Sequence, residues 1–177
     1  AYSWLHPDGH NEIRAVLTSA DMSTLSTEAD IISNPNDQVD PSIATSPSEY
    51  LTVWEDGPSA PERTIYGRRV LGEWVLADPF AILKVDTQVF LEPAAAYSPV
   101  FGYVTAARFK FTVEDTDIWV RFSWPGQNTV KPGNILLDSR MGLQRSPAIA
   151  CDRHGGCLVA YEDNYNSTSF NISGKMI

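Results

Sequence analysis

The 177-residue sequence has no apolar run close to the roughly 20 residues that a membrane-spanning helix needs. It is also poor in cations, because 13 Lys and Arg residues stand against 22 Asp and Glu residues, for a formal net charge of −9. A nucleic-acid-binding protein needs cations to displace the counterions of the phosphates. We therefore expect neither a membrane span nor a nucleic-acid partner.

Residues typical of nucleophilic or metal-dependent catalysis are few. None of the three histidines is spaced as in a catalytic triad or a familiar zinc motif. His6, Asp8 and His10 fall within one short loop, but such a grouping often arises by chance. A carboxylate pair for glycoside cleavage depends on the fold and not on spacing in the sequence. An enzyme that acts on glycans therefore stays open as an alternative.

Cysteine is scarce as well, and the two cysteines, Cys151 and Cys157, flank a polar loop between two apolar runs. A hairpin of this form brings its flanking residues within about 5.5 Å, inside the range of a disulfide. We predict a Cys151–Cys157 bridge and, with it, an extracellular or cell-surface location. Two sequons make Asn166 and Asn171 candidate glycosylation sites, which fits export.

What the sequence does have is an internal repeat. One isoleucine and one proline return at periods of 52 to 54 residues: Ile13, Ile65, Ile118 and Ile172, and Pro41, Pro93 and Pro147. Short β-branched and aromatic runs alternate with clusters of turn residues, and helical periodicity of useful length is absent. Four antiparallel strands in each period are typical of a β-propeller blade. The sequence predicts an all-β protein with about 3.5 propeller repeats.

The predicted repeats of this single domain cover residues 1–40, 41–92, 93–145 and 146–177. The first repeat lacks its innermost strand and the last lacks its outermost strand, whereas propellers close with complete blades. We therefore expect a piece of a longer chain, or a homo-oligomer whose end blades are completed by a neighbouring copy. A monomer with two incomplete blades is the third alternative.

The clearest unit combines Tyr50-Leu-Thr-Val-Trp-Glu-Asp56 with Ile65-Tyr-Gly-Arg-Arg-Val70. These motifs resemble a bacterial extracellular repeat family of β-propellers, with a proline-started inner strand, Val-Trp-x-Asp and Ile-Tyr-Gly-x-Arg-Val. The last unit keeps Tyr161-Glu-Asp163, whereas the middle unit departs, with Arg108-Phe-Lys110 at the same place. The resemblance implies extracellular propeller blades but no particular activity.

Acidic residues recur where the second strand of each unit turns to the third, and propeller loops of this kind emerge on one face. Asp56, Asp115 and Asp163 are the candidate ligand-binding carboxylates, and Asp8, Asp56 and Asp163 are the candidate metal ligands. Ca²⁺ is the cation such oxygen ligands prefer, and we expect no other cofactor. The competing interpretation is that Asp, Asn and Gly occupy turns for their local hydrogen bonding.

Two further features bear on partners. A basic residue recurs three positions after the isoleucine, as Arg68, Arg121 and Lys175, and we expect it to pair with the carboxylate that ends the preceding strand. Trp124 lies in a Ser-Trp-Pro-Gly turn, where an exposed ring could stack on a sugar.

Together these patterns favour a non-catalytic extracellular propeller that binds a carbohydrate or a protein, or that assembles through its incomplete end blades. The alternative is a glycan-acting propeller hydrolase or lyase that uses acidic loop residues.

Overall fold

A computed structural model of the chain describes residues 1–16, 18, 28–57, 63–71, 74–85, 88–165 and 168–177, with only the backbone described for 74–77. Within this part of the chain there are fourteen strands, and no helix that is long and apolar enough to cross a membrane. The strands form four antiparallel sheets, and in each sheet neighbouring strands are consecutive in the chain.

The first sheet contains β1 (Tyr2–Leu5), β2 (Asn11–Ala15) and β3 (Ala29–Ile32). The second contains β4 (Asp37–Thr45), β5 (Tyr50–Gly57), β6 (Thr64–Leu71) and β7 (Trp74–Leu83). The third contains β8 (Val89–Ser98), β9 (Gly102–Lys110), β10 (Thr116–Ser123) and β11 (Ile135–Asp138). The fourth contains β12 (Gln144–Cys151), β13 (Cys157–Asp163) and β14 (Asn171–Met176). The all-β, blade-like arrangement predicted from the repeat is confirmed.

The apolar core lies between neighbouring sheets. Ile13 of the first sheet packs in one cluster with Trp54 and Val70 of the second, and all three side chains are buried. A second cluster joins the second and third sheets, and a third cluster joins the third and fourth. Ile172 of the fourth sheet is 76% exposed, because no described sheet follows to cover it. The repeated isoleucine is therefore the residue that each blade buries against the next.

Two of the three recurring basic residues join adjacent sheets. Arg68 Nη1 in β6 donates to the backbone carbonyl of Ile31 in β3 at 2.7 Å. Lys175 Nζ in β14 donates to the carbonyl of Leu137 in β11 at 2.6 Å. These charged donors satisfy carbonyl groups of the neighbouring sheet and so stabilise the contact between sheets.

The third basic residue stays within its own sheet. Arg121 Nη1 donates to Asn134 Oδ1, between β10 and β11. The expectation that Arg121 and Lys175 pair with the carboxylate that ends the preceding strand was wrong.

Cys151 ends β12, Cys157 begins β13, and the two form the disulfide predicted from the sequence. The loop between them is ordered by Asp152, whose Oδ1 accepts the N–H groups of His154 at 2.8 Å and Gly156 at 3.0 Å. A disulfide is compatible with an oxidising compartment.

Replacing both cysteines with alanine is expected to lower the free energy of unfolding by about 2 kcal/mol, because the bridge closes only a short loop of the unfolded chain. Urea unfolding of the double variant, beside wild type with and without reductant, measures this loss. Equal stability of the oxidised protein and the double variant would contradict the prediction.

Candidate functional site

The innermost strand of each of the last three sheets carries the same β-bulge. The register against the neighbouring strand shifts between Val39 and Ser42, between Leu91 and Ala94, and between Arg145 and Ala148. At each bulge a residue other than glycine has positive φ: Asp40 at 51°, Glu92 at 54° and Ser146 at 51°. Such backbone strain costs of order 1–3 kcal/mol per residue and clusters at functional sites.

Each strained residue stands immediately before the repeated proline. The expectation that this proline starts the innermost strand was wrong, because β4, β8 and β12 each begin three or four residues earlier. The bulge interrupts the ladder at this point, so the missing N–H of proline leaves no donor unpaired inside the strand.

The three bulges converge on one cavity of about 450 Å³, lined by Asp40, Glu92 and Ser146 with the prolines that follow them. We call this cavity the axial pocket. It lies where β4, β8 and β12, each an edge strand of its sheet, face one another. Two carboxylates, one hydroxyl and three apolar proline rings thus face a single space, each blade supplying the same position.

Carboxylates connect the bulges from one blade to the next. Glu55 Oε1, at the end of β5, accepts the N–H of Glu92 at 2.6 Å. Glu92 Oε2 in turn accepts the N–H of Ser146 at 2.6 Å. Arg63 and Arg108 balance these charges, at 2.6 Å from Glu55 Oε2 and 3.0 Å from Glu92 Oε1. The groups around the axial pocket are therefore held in place before any ligand binds.

Glu55 lies behind the axial pocket and is 2% exposed. Burial raises the pKa of its carboxyl, and the charge of nearby Asp40 raises it further, against the opposing hydrogen bonds from the backbone of Glu92 and from Arg63. Glu55 therefore keeps its proton to higher pH than an exposed glutamate does. It lies beside the exposed carboxylate of Asp40.

Comparison with known proteins bears on the fold. No protein-family model matches the sequence, and no curated protein gives a significant match. Among solved structures, a thermostable family-43 glycoside hydrolase, a five-bladed β-propeller, is similar with a TM-score of 0.62 and 12% sequence identity. The fold is a β-propeller. The match covers 98% of this chain, which spans 65% of the length of that enzyme.

Two of the predicted site residues, Asp56 and Asp163, occupy the same place in two blades of the propeller, at the end of β5 and of β13. Asp56 is buried and accepts from the side chains of Asn34 at 3.2 Å and Asn36 at 3.1 Å. These contacts tie the end of β5 to the segment that leads into β4.

Asp163 is also buried, and its oxygens accept from Arg140 at 2.5 Å, Ser173 at 3.0 Å and Gln144 at 3.3 Å. Like Asp56, it directs both carboxylate oxygens at donors of the protein itself. A role of either residue in binding a ligand or a metal stays a prediction from the sequence.

Asp115 and Trp124 lie on opposite faces of the propeller, because one precedes the first residue of β10 and the other follows its last. Asp115 Oδ1 accepts the N–H of Gly142 at 3.2 Å. Trp124 is 44% exposed, and the ammonium of Lys131 lies 3.2 Å from the centre of its ring. The structure therefore does not bring Trp124 together with the predicted carboxylates.

Of the remaining predicted residues, two are at the surface and one is not described. The side chain of Asp8 is 79% exposed, in the loop between β1 and β2. Asn171 is exposed at the start of β14, whereas Asn166 lies outside the described residues. The axial residues Asp40, Glu92 and Ser146 are not among the site residues that the sequence predicted, although their shared place before the repeated proline is a usable signal.

Proposed function

We propose that this propeller is a module that binds a carbohydrate in its axial pocket without cleaving it. The observation that carries the proposal is the convergence of Asp40, Glu92 and Ser146 from three blades on one cavity. Carboxylates accept hydrogen bonds from sugar hydroxyls, and such charge-assisted bonds are stronger than neutral ones. The partly exposed ring of Pro41 offers apolar surface to the C–H face of a sugar, whereas the prolines after Glu92 and Ser146 are buried.

Charge and size narrow the ligand class. Arg63 and Arg108 are engaged with Glu55 and Glu92, so the exposed charge of the pocket is the carboxylate of Asp40 together with part of Glu92. The negative charge of these carboxylates disfavours anionic ligands and favours a neutral molecule rich in hydroxyl donors. The pocket has a volume of about 450 Å³ and is wide open to solvent, so it suits contact with one face of a sugar and not enclosure of a whole ligand.

Similarity of fold to a family-43 glycoside hydrolase supports a carbohydrate ligand by analogy alone, because propellers host many unrelated functions. Binding of a protein partner, assembly of copies and an extracellular location also stay predictions from the sequence.

A second candidate is a hydrolase or lyase that acts on glycans, and Glu55 is the observation that favours it. A carboxyl whose pKa is raised by burial, next to a carboxylate, is the arrangement that supplies a general acid in glycoside cleavage. Glu55 is 2% exposed, so a glycosidic oxygen would have to reach it past Asp40.

A glycan array probed with the labelled protein tests the proposal, followed by calorimetric titration of the oligosaccharide that binds most tightly. We expect saturable binding at one site, and no more new reducing ends or unsaturated products than in a protein-free incubation. Absence of binding to any glycan would contradict the proposal, and product formation lost in Glu55→Gln would replace it with the hydrolase or lyase.

A further inference from the structure

A separate polar cluster lies outside the axial pocket, where the chain turns from β1 to β2. His6, His10 and Glu12 each place one potential ligand atom within 4.8 Å of the other two. The two imidazole rings stack, with their centres 4.7 Å apart. His10 Nε2 lies 3.4 Å from Glu12 Oε1.

One of these separations already suits a metal ion, and the others are at most 4.8 Å. Zn²⁺ is bound tetrahedrally with bonds of about 2.0–2.2 Å to nitrogen and oxygen, which places any two ligand atoms about 3.4 Å apart. His10 and Glu12 already have this separation. The stacked rings are 22° from parallel, so their nitrogen lone pairs do not yet point at one position. The side chain of His6 is 30% exposed, so its ring can rotate out of the stack and direct a nitrogen at the ion. We propose that His6, His10 and Glu12 bind one Zn²⁺ ion.

Neighbouring groups hold the ligands in place. Ser33 Oγ donates to Glu12 Oε1 at 2.5 Å, and Arg14 Nη2 lies 3.5 Å from Glu12 Oε2. His6 Nδ1 accepts the backbone N–H of Asp8 at 3.2 Å, and Asp8 Oδ2 lies 3.4 Å from the same nitrogen. Glu12 itself is 2% exposed and cannot move far from its position.

The backbone of the turn is fixed as well. The N–H of His6 donates to the carbonyl of His10 at 2.8 Å, and Gly9 closes the turn with φ of 93°. Asn11 anchors the far side, because its N–H and its side-chain amide donate to Asp37 Oδ1 at 3.0 and 3.2 Å. The backbone of the hairpin therefore has little freedom to lose on binding, and only the ring of His6 has to move.

The cluster is open to solvent on one side. A cleft of about 460 Å³, lined by Asp8, Gly9, His10, Pro35 and Asp37, leads to it. The carboxylates of Asp8 and Asp37 favour the entry of a cation. Three protein ligands leave a fourth position for water from this cleft.

The ligand atoms of the cluster favour Zn²⁺ over Ca²⁺. Two imidazole nitrogens and one carboxylate suit Zn²⁺ and other transition metals, whereas Ca²⁺ takes six to eight oxygen ligands. The cluster therefore differs in chemistry from the acidic loops that the sequence pointed to for Ca²⁺.

Calorimetric titration of the untagged protein with Zn²⁺ tests the proposal. We expect one ion per chain, and binding at least about 100-fold weaker in His6→Ala and in His10→Ala, since even an outer contact is worth 10–100-fold in metal affinity. His154, in the exposed loop between β12 and β13, supplies the matched control, and His154→Ala should bind as wild type does. Histidines are replaced first, because Glu12 is buried and Glu12→Gln risks the fold.

The visible spectrum of the Co²⁺-loaded protein gives a second measurement, since a tetrahedral site with nitrogen ligands absorbs far more strongly than hydrated Co²⁺. We expect this absorption to disappear on addition of Zn²⁺ and to persist in excess Ca²⁺. Unsaturable binding would overturn the site, as would binding that survives both histidine substitutions or that is lost in His154→Ala.

Discussion

Replacing Arg140 with methionine is expected to lower the free energy of unfolding by about 2–3 kcal/mol, because it removes the closest counter-charge of two buried carboxylates and leaves, among the described residues, only Lys175, 3.9 Å from Asp138. Arg140 Nε and Nη2 donate to Asp138 at 3.0 and 2.6 Å, and Nη2 also donates to Asp163 at 2.5 Å. The side chains of Asp138 and Asp163 are 1% and 5% exposed. One guanidinium thus joins the third and fourth blades.

The pH dependence of the stability lost in Arg140→Met identifies the cause of that loss. Burial alone would raise the pKa of Asp138, but hydrogen bonds from Arg140 and Tyr161 lower it to about 2. The native state therefore binds fewer protons at this group than the unfolded chain does, and the stability it contributes is lost as pH falls from its ordinary pKa of 3.8 toward 2. The cost of Arg140→Met should shrink over that range.

Urea unfolding at pH 7 and near pH 3 measures both effects. Arg153→Met, in the exposed loop between β12 and β13, is the control for loss of one positive charge. Equal stability of Arg140→Met and Arg153→Met at pH 7 would contradict this account of the contact between the blades.

Replacing Asp117 with asparagine is expected to stabilise the protein at pH 7. Asp117 is 3% exposed, and burial raises the pKa of its carboxyl from 3.8 to about 6, helped by the charges of Asp115 and Asp138. The native state binds this proton more tightly than the unfolded chain does, so stability falls as pH rises from about 4 to about 6. At about 1.4 kcal/mol per pKa unit, the cost at pH 7 reaches about 3 kcal/mol.

The gain from Asp117→Asn should therefore be about 1–3 kcal/mol at pH 7 and should vanish near pH 4, where the aspartate is already neutral. Chemical unfolding at the two pH values is the measurement, with Glu114→Gln on the neighbouring exposed loop as the control. A gain of the same size at both pH values would assign the effect to packing and not to charge.

The blades could be predicted because every unit of the internal repeat has to meet the same physical requirement. Each unit must bury an isoleucine against the next sheet, so Ile13, Ile65 and Ile118 return at one position and are all fully buried. The β-bulge could not be read from the same pattern. A proline before a strand and a proline inside a strand look the same in the sequence. Only the register of β4 against β5 shows that Asp40 takes the strained conformation.

The candidate site was harder to predict, because it depends on which ends of the strands meet. Asp56 and Asp163 stand out in the sequence as acidic residues after aromatic ones, yet their neighbours Asn34 and Arg140 come from other segments and engage their oxygens. Asp40 and Glu92 lie 52 residues apart and meet only because β4 and β8 face the same axis.

The measurement that tests the central claim most directly is the affinity of Asp40→Asn for the oligosaccharide that binds the wild-type protein most tightly. Asparagine keeps the shape of the side chain but removes its charge. The amide oxygen still accepts a hydrogen bond, but a neutral bond is about half as strong as a charge-assisted one. A loss of about 1–1.5 kcal/mol predicts affinity roughly 5- to 10-fold weaker, with the affinity of Glu114→Gln unchanged. Wild-type affinity in Asp40→Asn would contradict the axial pocket as the binding site.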